Sequence, residues 1–159
     1  MSKVKVKSII GEFDGIIVRS RFKIDSEFLR NCDKIKFIAR VGSGLENIDT
    51  PYLKKRGIKL ISAPEGNSNA VGEHAVGLIL SLLNKLNLAN DSVKNKLWSR
   101  EKFRGYEIEN KTIGIIGYGN TGKSLAKKLT GFNVKEIIFY DIRKIPKDSI
   151  AKQVSIEEL

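Results

Sequence analysis

Short apolar runs broken by polar turns, with longer helix-period stretches between them, set the rhythm of this chain. Gly15 to Val18 (GIIV), Ile35 to Val41 (IKFIARV) and Ile58 to Ser62 are brief, β-branched and bounded by turn residues, as buried strands are. Between the first two, Asp25 can cap a short helix through Asn31. Between the second and third, Asp49 or Thr50 caps a helix with Pro51 at its first position, and Gly57 ends it. The order is βαβαβ, which predicts a parallel sheet with crossover helices on its faces and ligands at the carboxyl ends of the strands.

After the loop APEGNSN the period changes. Val71, Ala75, Leu78, Ile79, Leu82, Leu83 and Leu86 recur at helical spacing behind a Ser68 or Asn69 cap, predicting one long helix. Its apolar stripe is wide enough to pack a core and to meet a second copy of the chain. A polar, lysine-rich arm holding Trp98 and Phe103 follows. Thr112 to Ile116 then reads as a strand, Gly117-Tyr118-Gly119-Asn120-Thr121-Gly122 as a turn into a helix, and EIIFYD as a second strand ending in Asp141.

That last stretch carries the chemistry. Gly117, Gly119 and Gly122 fit G-x-G-x-x-G, and an acid follows the next strand at the distance of about twenty residues that a dinucleotide site needs. Gly117 permits the tight turn, Gly119 lets backbone approach a pyrophosphate, and Gly122 lets the helix pack closely on its strand. The helix start offers unpaired N–H groups, stabilising a bound anion by about 0.3–2 kcal/mol. Asp141 would accept hydrogen bonds from ribose hydroxyls and repel a 2′-phosphate, favouring NAD over NADP, with Arg143 nearby tempering the preference. Gly117, Gly122, Lys123 and Ser124 also spell G-x-x-x-x-G-K-S, the phosphate loop of nucleotide triphosphatases, in which Lys123 would meet the phosphates and Ser124 a magnesium ion. The middle glycine and the spaced acid belong to the dinucleotide pattern alone.

Composition narrows the class. The 159 residues are 41% hydrophobic, and no window approaches the ~18 apolar residues of a membrane span. MSKVKVKSII carries no signal-peptide pattern, so a cytoplasmic protein without membrane partners is expected. Cys32 is the single cysteine, which excludes a disulfide framework and a cysteine metal cluster; it reads as a small core residue. The formal charge of +11 raises nucleic acid as a partner. The lysines, however, are scattered from Lys3 to Lys152 without groove-entering motifs or stacked aromatics, so we expect a solvated surface that attracts small anions.

In order along the chain, DGIIVRSRFKID, FIARVGSGLENIDTPYLKKRGIKLISAPEGNSNAVGEHAVGLIL, LWSREKFRGYEIENKTIGIIGYGNTGKSLAKKL and YD resemble the D-2-hydroxyacid dehydrogenase family, and within it the phosphoglycerate dehydrogenases most closely. The resemblance implies an α/β fold of two parallel doubly wound domains, one flavodoxin-like and one Rossmann, both incomplete: residues 1–66 from the substrate domain and 67–159 from the NAD-binding domain. It places Gly117, Gly119, Asn120, Thr121, Gly122 and Asp141 at the cofactor, with Ser43 reaching it from the facing domain. Backbone N–H groups of Gly42, Ser43 and Gly44 would meet the substrate carboxylate, and Arg19, Ser20 and Arg40 the acidic end of the substrate. Arg100, on an arm that lies near the subunit interface in relatives, would add positive charge. With the resemblance in place, the phosphate-loop match reads as coincidence.

The activity implied is NAD-dependent oxidation at the CH–OH group of a D-2-hydroxyacid, with 3-phosphoglycerate the expected substrate, in a homodimer when full length. A non-catalytic NAD-binding module is the alternative, and a triphosphatase using Lys123 and Ser124 the remoter one. The family's Arg, Glu and His, which between them move the hydroxyl proton and stabilise charge on the carbonyl oxygen, lie on segments beyond the second nucleotide strand, so no catalytic residue is expected among these 159. His74 precedes the glycine turn and reads as a helix-packing residue. Glu46 stands where relatives commonly have Asp, and Glu46 and Asp49 read as loop and capping residues.

Overall fold

The computed structural model describes residues 2–159. It is an α/β chain of two compact units, the first ending at Asn67 and the second comprising Ser68–Leu159. Each unit holds a three-stranded, wholly parallel sheet.

The first unit begins with a helix that the hydrophobic pattern does not announce, α1 (Lys3–Ile9), whose first turn is capped by Ser2 accepting from the Lys5 N–H at 3.3 Å. Val6 and Ile10 reach the core while Val4 stays exposed. The sheet is β1 (Gly15–Val18), β2 (Phe37–Arg40) and β3 (Lys59–Ser62), in that spatial order. Val18, Arg40 and Ser62 stand in register, so the three strands end level and their following loops share one edge. The helix α2 (Thr50–Lys55) between β2 and β3 is capped by Asp49, which accepts from the Tyr52 N–H at 3.0 Å, with Pro51 in the first turn.

Residues 25–31 form successive turns where a helix is expected. Asp25 does accept from the Phe28 N–H at 2.9 Å, but the helix does not propagate. A segment this short gains few backbone bonds for the residues it fixes, and burial of Phe28, Leu29 and Cys32 sets its path instead. The core of the unit gathers these three with Ile24, Ile35, Ile38, Ile48, Leu53 and Ile58.

In the second unit the long helix is broken in two, α3 (Ser68–Leu83) and α4 (Leu86–Lys94). Asn84 donates its side-chain amide to the Leu80 carbonyl at 3.0 Å, Lys85 takes a left-handed conformation (φ 52°), and Leu86 starts a new axis. The arm returns to close α3, with the Tyr106 N–H on the Leu83 carbonyl at 3.0 Å. Strand β4 (Thr112–Ile116), helix α5 (Asn120–Leu129) and strand β5 (Glu136–Tyr140) follow as the sequence predicts. A third strand, β6 (Lys152–Gln153), corrects the expectation of two: it pairs beyond β5, in the order β4-β5-β6. Helix α3 lies directly on α5, and a side chain added at Gly72 would put its Cβ 2.8 Å from the Ser124 hydroxyl and 3.0 Å from Lys128 Cε. Lys128 bonds Asn69 at 2.7 Å across the same contact.

Candidate functional site

The second unit's site is built where β4 ends and α5 begins. Gly117 has φ +88°, a conformation that disfavours any side chain, and turns the chain sharply from strand to helix. Its N–H donates to the Tyr140 carbonyl at 2.8 Å, fixing the turn to the end of β5. Gly119 is the N-cap of α5, with no side chain satisfying the helix start, and the space where its Cβ would project is open. The N–H groups of Asn120, Thr121 and Gly122 therefore face an unfilled position suited to an anion. Gly122 is buried, and a Cβ there would run into the Gly117 carbonyl, so the helix can approach its strand only with glycine at this place.

Asp141 stands one residue beyond β5 and is tied on both oxygens. Oδ2 accepts from the Tyr118 N–H at 2.8 Å, and Oδ1 accepts from the Arg143 N–H at 2.9 Å and from its guanidinium at 3.4 Å. These bonds, led by the Arg143 and Tyr118 backbone donors, hold its carboxyl below the usual range. Oδ2, which accepts a single bond, keeps lone-pair capacity for a ligand hydroxyl. Gln153 of β6 pins the following segment, donating to the carbonyls of Asp141 at 3.4 Å and Arg143 at 2.9 Å and accepting from the Ile145 N–H at 3.0 Å. Ile116, Gly117, Tyr140, Asp141, Ile142 and Arg143 line an open groove of about 530 Å³ beside the turn, with Ile116 and Ile142 exposed and apolar. A flat, mostly apolar ring could lie there next to a sugar held by Asp141.

The same geometry argues against a phosphate loop. Residues 120–122 are already helical, leaving no four-residue loop to wrap a triphosphate. The Ser124 hydroxyl is packed against Gly72 of α3, and Lys123 is exposed.

In the first unit the level ends of β1 and β2 bring Arg19, Ser20, Arg40, Gly42, Ser43 and Gly44 to one edge. Gly42 has φ +137°, and the Arg40 guanidinium curls back over it, with Nη1 donating to the Val41 carbonyl at 2.6 Å. Arg40 Nε is enclosed without a hydrogen-bond partner among the described residues. A guanidinium held this way is a strong site for a carboxylate or phosphate. Asn47 holds the neighbouring loop: its amide donates to the carbonyls of Arg19 at 3.2 Å and Phe22 at 3.0 Å, and its own Oδ1 is buried and unpaired. Glu46 folds its carboxylate over Gly44. Arg100 is exposed in a different groove of the second unit, lined by Val93, Leu97, Trp98 and Phe103 and by none of the turn residues. His74 is exposed on α3, and Cys32 is buried with its thiol pushed up by burial.

Residues 1–155 match the model of the D-isomer-specific 2-hydroxyacid dehydrogenase catalytic domain. The chain belongs to this family. Similar proteins include a hydroxypyruvate reductase of Thermotoga maritima, 35% identical over 159 residues that cover the whole chain and 52% of the relative. A D-3-phosphoglycerate dehydrogenase of Archaeoglobus fulgidus is 36% identical over 141 residues, 89% of the chain and 27% of the relative. Among solved structures, D-lactate dehydrogenase of Aquifex aeolicus, complexed with NAD and lactic acid, superposes with a TM-score of 0.84 at 25% identity, covering 96% of the chain and 46% of that structure. The chain thus spans about half the length of the Thermotoga relative. Parallel sheets in both units agree with the family's Rossmann-like architecture.

Asn47 and Gln153 are the residues the sequence reading misses. Asn47 is hidden because its partners, the carbonyls of Arg19 and Phe22, are remote in sequence. Gln153 is hidden because its strand is two residues long. No group of three or more His, Cys, Asp or Glu that could hold a metal occurs among the described residues, and no helix there is long and apolar enough to cross a membrane.

Proposed function

We propose that this chain binds NAD through its second unit and an acidic 2-hydroxyacid through its first, as part of an NAD-dependent D-2-hydroxyacid dehydrogenase. The observation that carries the reading is the uncapped start of α5, open above Gly119, beside a carboxylate locked at the end of β5. Bound NAD would supply the hydride acceptor. The residues of the second unit would hold its diphosphate (Gly119, Asn120, Thr121) and its adenosine ribose (Asp141). Domain roles follow the notional boundary: residues 1–66 serve the substrate and 67–159 the cofactor.

For the substrate, 3-phosphoglycerate fits best. Its carboxylate matches the N–H groups of Gly42, Ser43 and Gly44, and its phosphate matches Arg19, Ser20 and Arg40. Hydroxypyruvate or lactate would leave those cations without a second anion. The exposed Leu78 and Leu82 of α3 and Leu86 and Leu88 of α4 support a homodimer of the intact enzyme, acting in the cytoplasm on small molecules.

Calorimetric titration of the purified chain with NADH, magnesium-ATP and 3-phosphoglycerate tests this. NADH should bind, and Asp141→Ala should weaken it roughly tenfold, the loss of about 1.4 kcal/mol of hydrogen bonding. Selective binding of magnesium-ATP, abolished by Lys123→Ala, would overturn the assignment.

A further inference from the structure

Tyr118, the residue between the first two glycines of the turn, is 1% exposed and lies flat on Phe139 of β5, ring centroids 3.8 Å apart and planes 12° from parallel. Its backbone holds Asp141. Phenylalanine would fill the same space, yet the residue carries a hydroxyl that is enclosed and has no hydrogen-bond partner at bonding distance among the described residues. A buried hydroxyl left so costs about 1–3 kcal/mol. Asp148, on the segment between β5 and β6, lines one cavity with the Phe139 on which the Tyr118 ring is stacked. One carboxylate oxygen of Asp148, Oδ1, accepts from the Ile150 N–H at 2.7 Å, which leaves Oδ2 for a second donor. Burial and that carboxylate push the Tyr118 phenol up to about 12, so it remains protonated and able to donate at working pH.

We propose that the Tyr118 hydroxyl is a latch that closes on Asp148 and positions the outer wall of the dinucleotide groove. The inference rests on the dinucleotide reading of that groove. Its outer wall is Asp141, Ile142 and Arg143, which open the same segment. Gln153 ties the near half of the segment, at residues 141, 143 and 145, and the far half runs from Asp148, which accepts from the Ile150 N–H, into the buried Ala151 and strand β6. With the latch closed, the wall is held from both ends, and the turn beneath Tyr118 senses the segment's position through the ring and the Asp141 bond. Tyr118 is thus a positioning residue: it acts on a ligand only through Asp141 to Arg143.

The test uses the full chain, isotope-labelled for NMR, with ADP-ribose as the probe. Tyr118→Phe, Asp148→Ala and the double variant are compared. Each single variant should move the amide resonances of Gly117 and Gly119 without ligand, speed hydrogen exchange at the Ile150 amide, and weaken ADP-ribose binding roughly three- to tenfold, the effect of one net hydrogen bond. The double variant should be no worse than the weaker-binding single one. Unmoved turn resonances in Asp148→Ala, or effects that multiply in the double variant, would overturn the latch. If Tyr118→Phe fails to fold, Asp148→Ala alone decides by the same resonances. Failure of the unaltered chain to bind ADP-ribose would overturn the dinucleotide reading, while the ligand-free resonances would still judge the latch.

Discussion

The two strand edges of this molecule are built in opposite ways. In the second unit the backbone of the turn and its carboxylate are already bonded to one another, Gly117 to Tyr140, Asp141 to Tyr118 and Arg143, and the segment behind them to Gln153, although the Tyr118 hydroxyl is left enclosed and unpaired. In the first unit the loops at the ends of β1 and β2 keep polar atoms enclosed and unsatisfied, Arg40 Nε and Asn47 Oδ1. One edge is preorganised and gains little new order on binding; the other holds back hydrogen-bonding capacity that a ligand can complete. A cofactor site shared by many chemistries suits the first design, and a selective anion pocket suits the second.

The harshest challenge to this contrast is at the turn. Gly122→Val should melt the second unit, costing about 3 kcal/mol or more because backbone, not a flexible side chain, stands in the way. Gly119→Val should leave the melting curve nearly unchanged, since open space receives the new side chain, and should abolish NADH binding. A common loss of folding in both would show that the turn is not a preformed cradle.

Arg40→Met should lower affinity for 3-phosphoglycerate roughly 10- to 100-fold, the loss of about 1.5–3 kcal/mol from charge-assisted bonds. Chemical denaturation should find the variant no less stable, because an enclosed, incompletely paired guanidinium is removed. Asn47→Ala should cost about 1–2 kcal/mol of stability, read from the denaturant midpoint, by releasing the carbonyls of Arg19 and Phe22. It should weaken the same anion less than Arg40→Met does.

The smallest effect is acidic. The Asp141 carboxyl is depressed in the folded chain, so its contribution is complete above the unfolded value of about 4 and disappears as pH falls through the lower folded value. ADP-ribose affinity measured as the pH is lowered from 6 should hold through the ordinary aspartate value of about 4 and be lost only below it. A decline already centred near pH 6 would assign the binding to another group.

Strong local signals were readable without coordinates. Residues 112–116 and 15–18 match the strands β4 and β1, because short β-branched runs between glycines leave few alternatives. A cap at Asp49 or Thr50, which the structure gives to Asp49, and termination at the left-handed Gly57 were readable too, since capping and termination depend on chemistry within one turn. What stayed hidden is what distant partners decide. The break at Lys85 depends on the arm folding back onto Leu83, and residues 25–31 give up a helix because burial outweighs their cap. The pattern of glycines placed the turn between β4 and α5, but not the fact that Asp141 braces that turn.

Gly72 has a meaning beyond packing. Because its hydrogen stands where a methyl would press on the Ser124 hydroxyl, the Lys128 stem and the Leu125 backbone amide, any side chain here narrows the seat between α3 and α5. A descendant with alanine at 72 can swing the two side chains aside but not the amide 3.2 Å away, so it should fold with a slightly wider helix seam and gain from a smaller residue at 124.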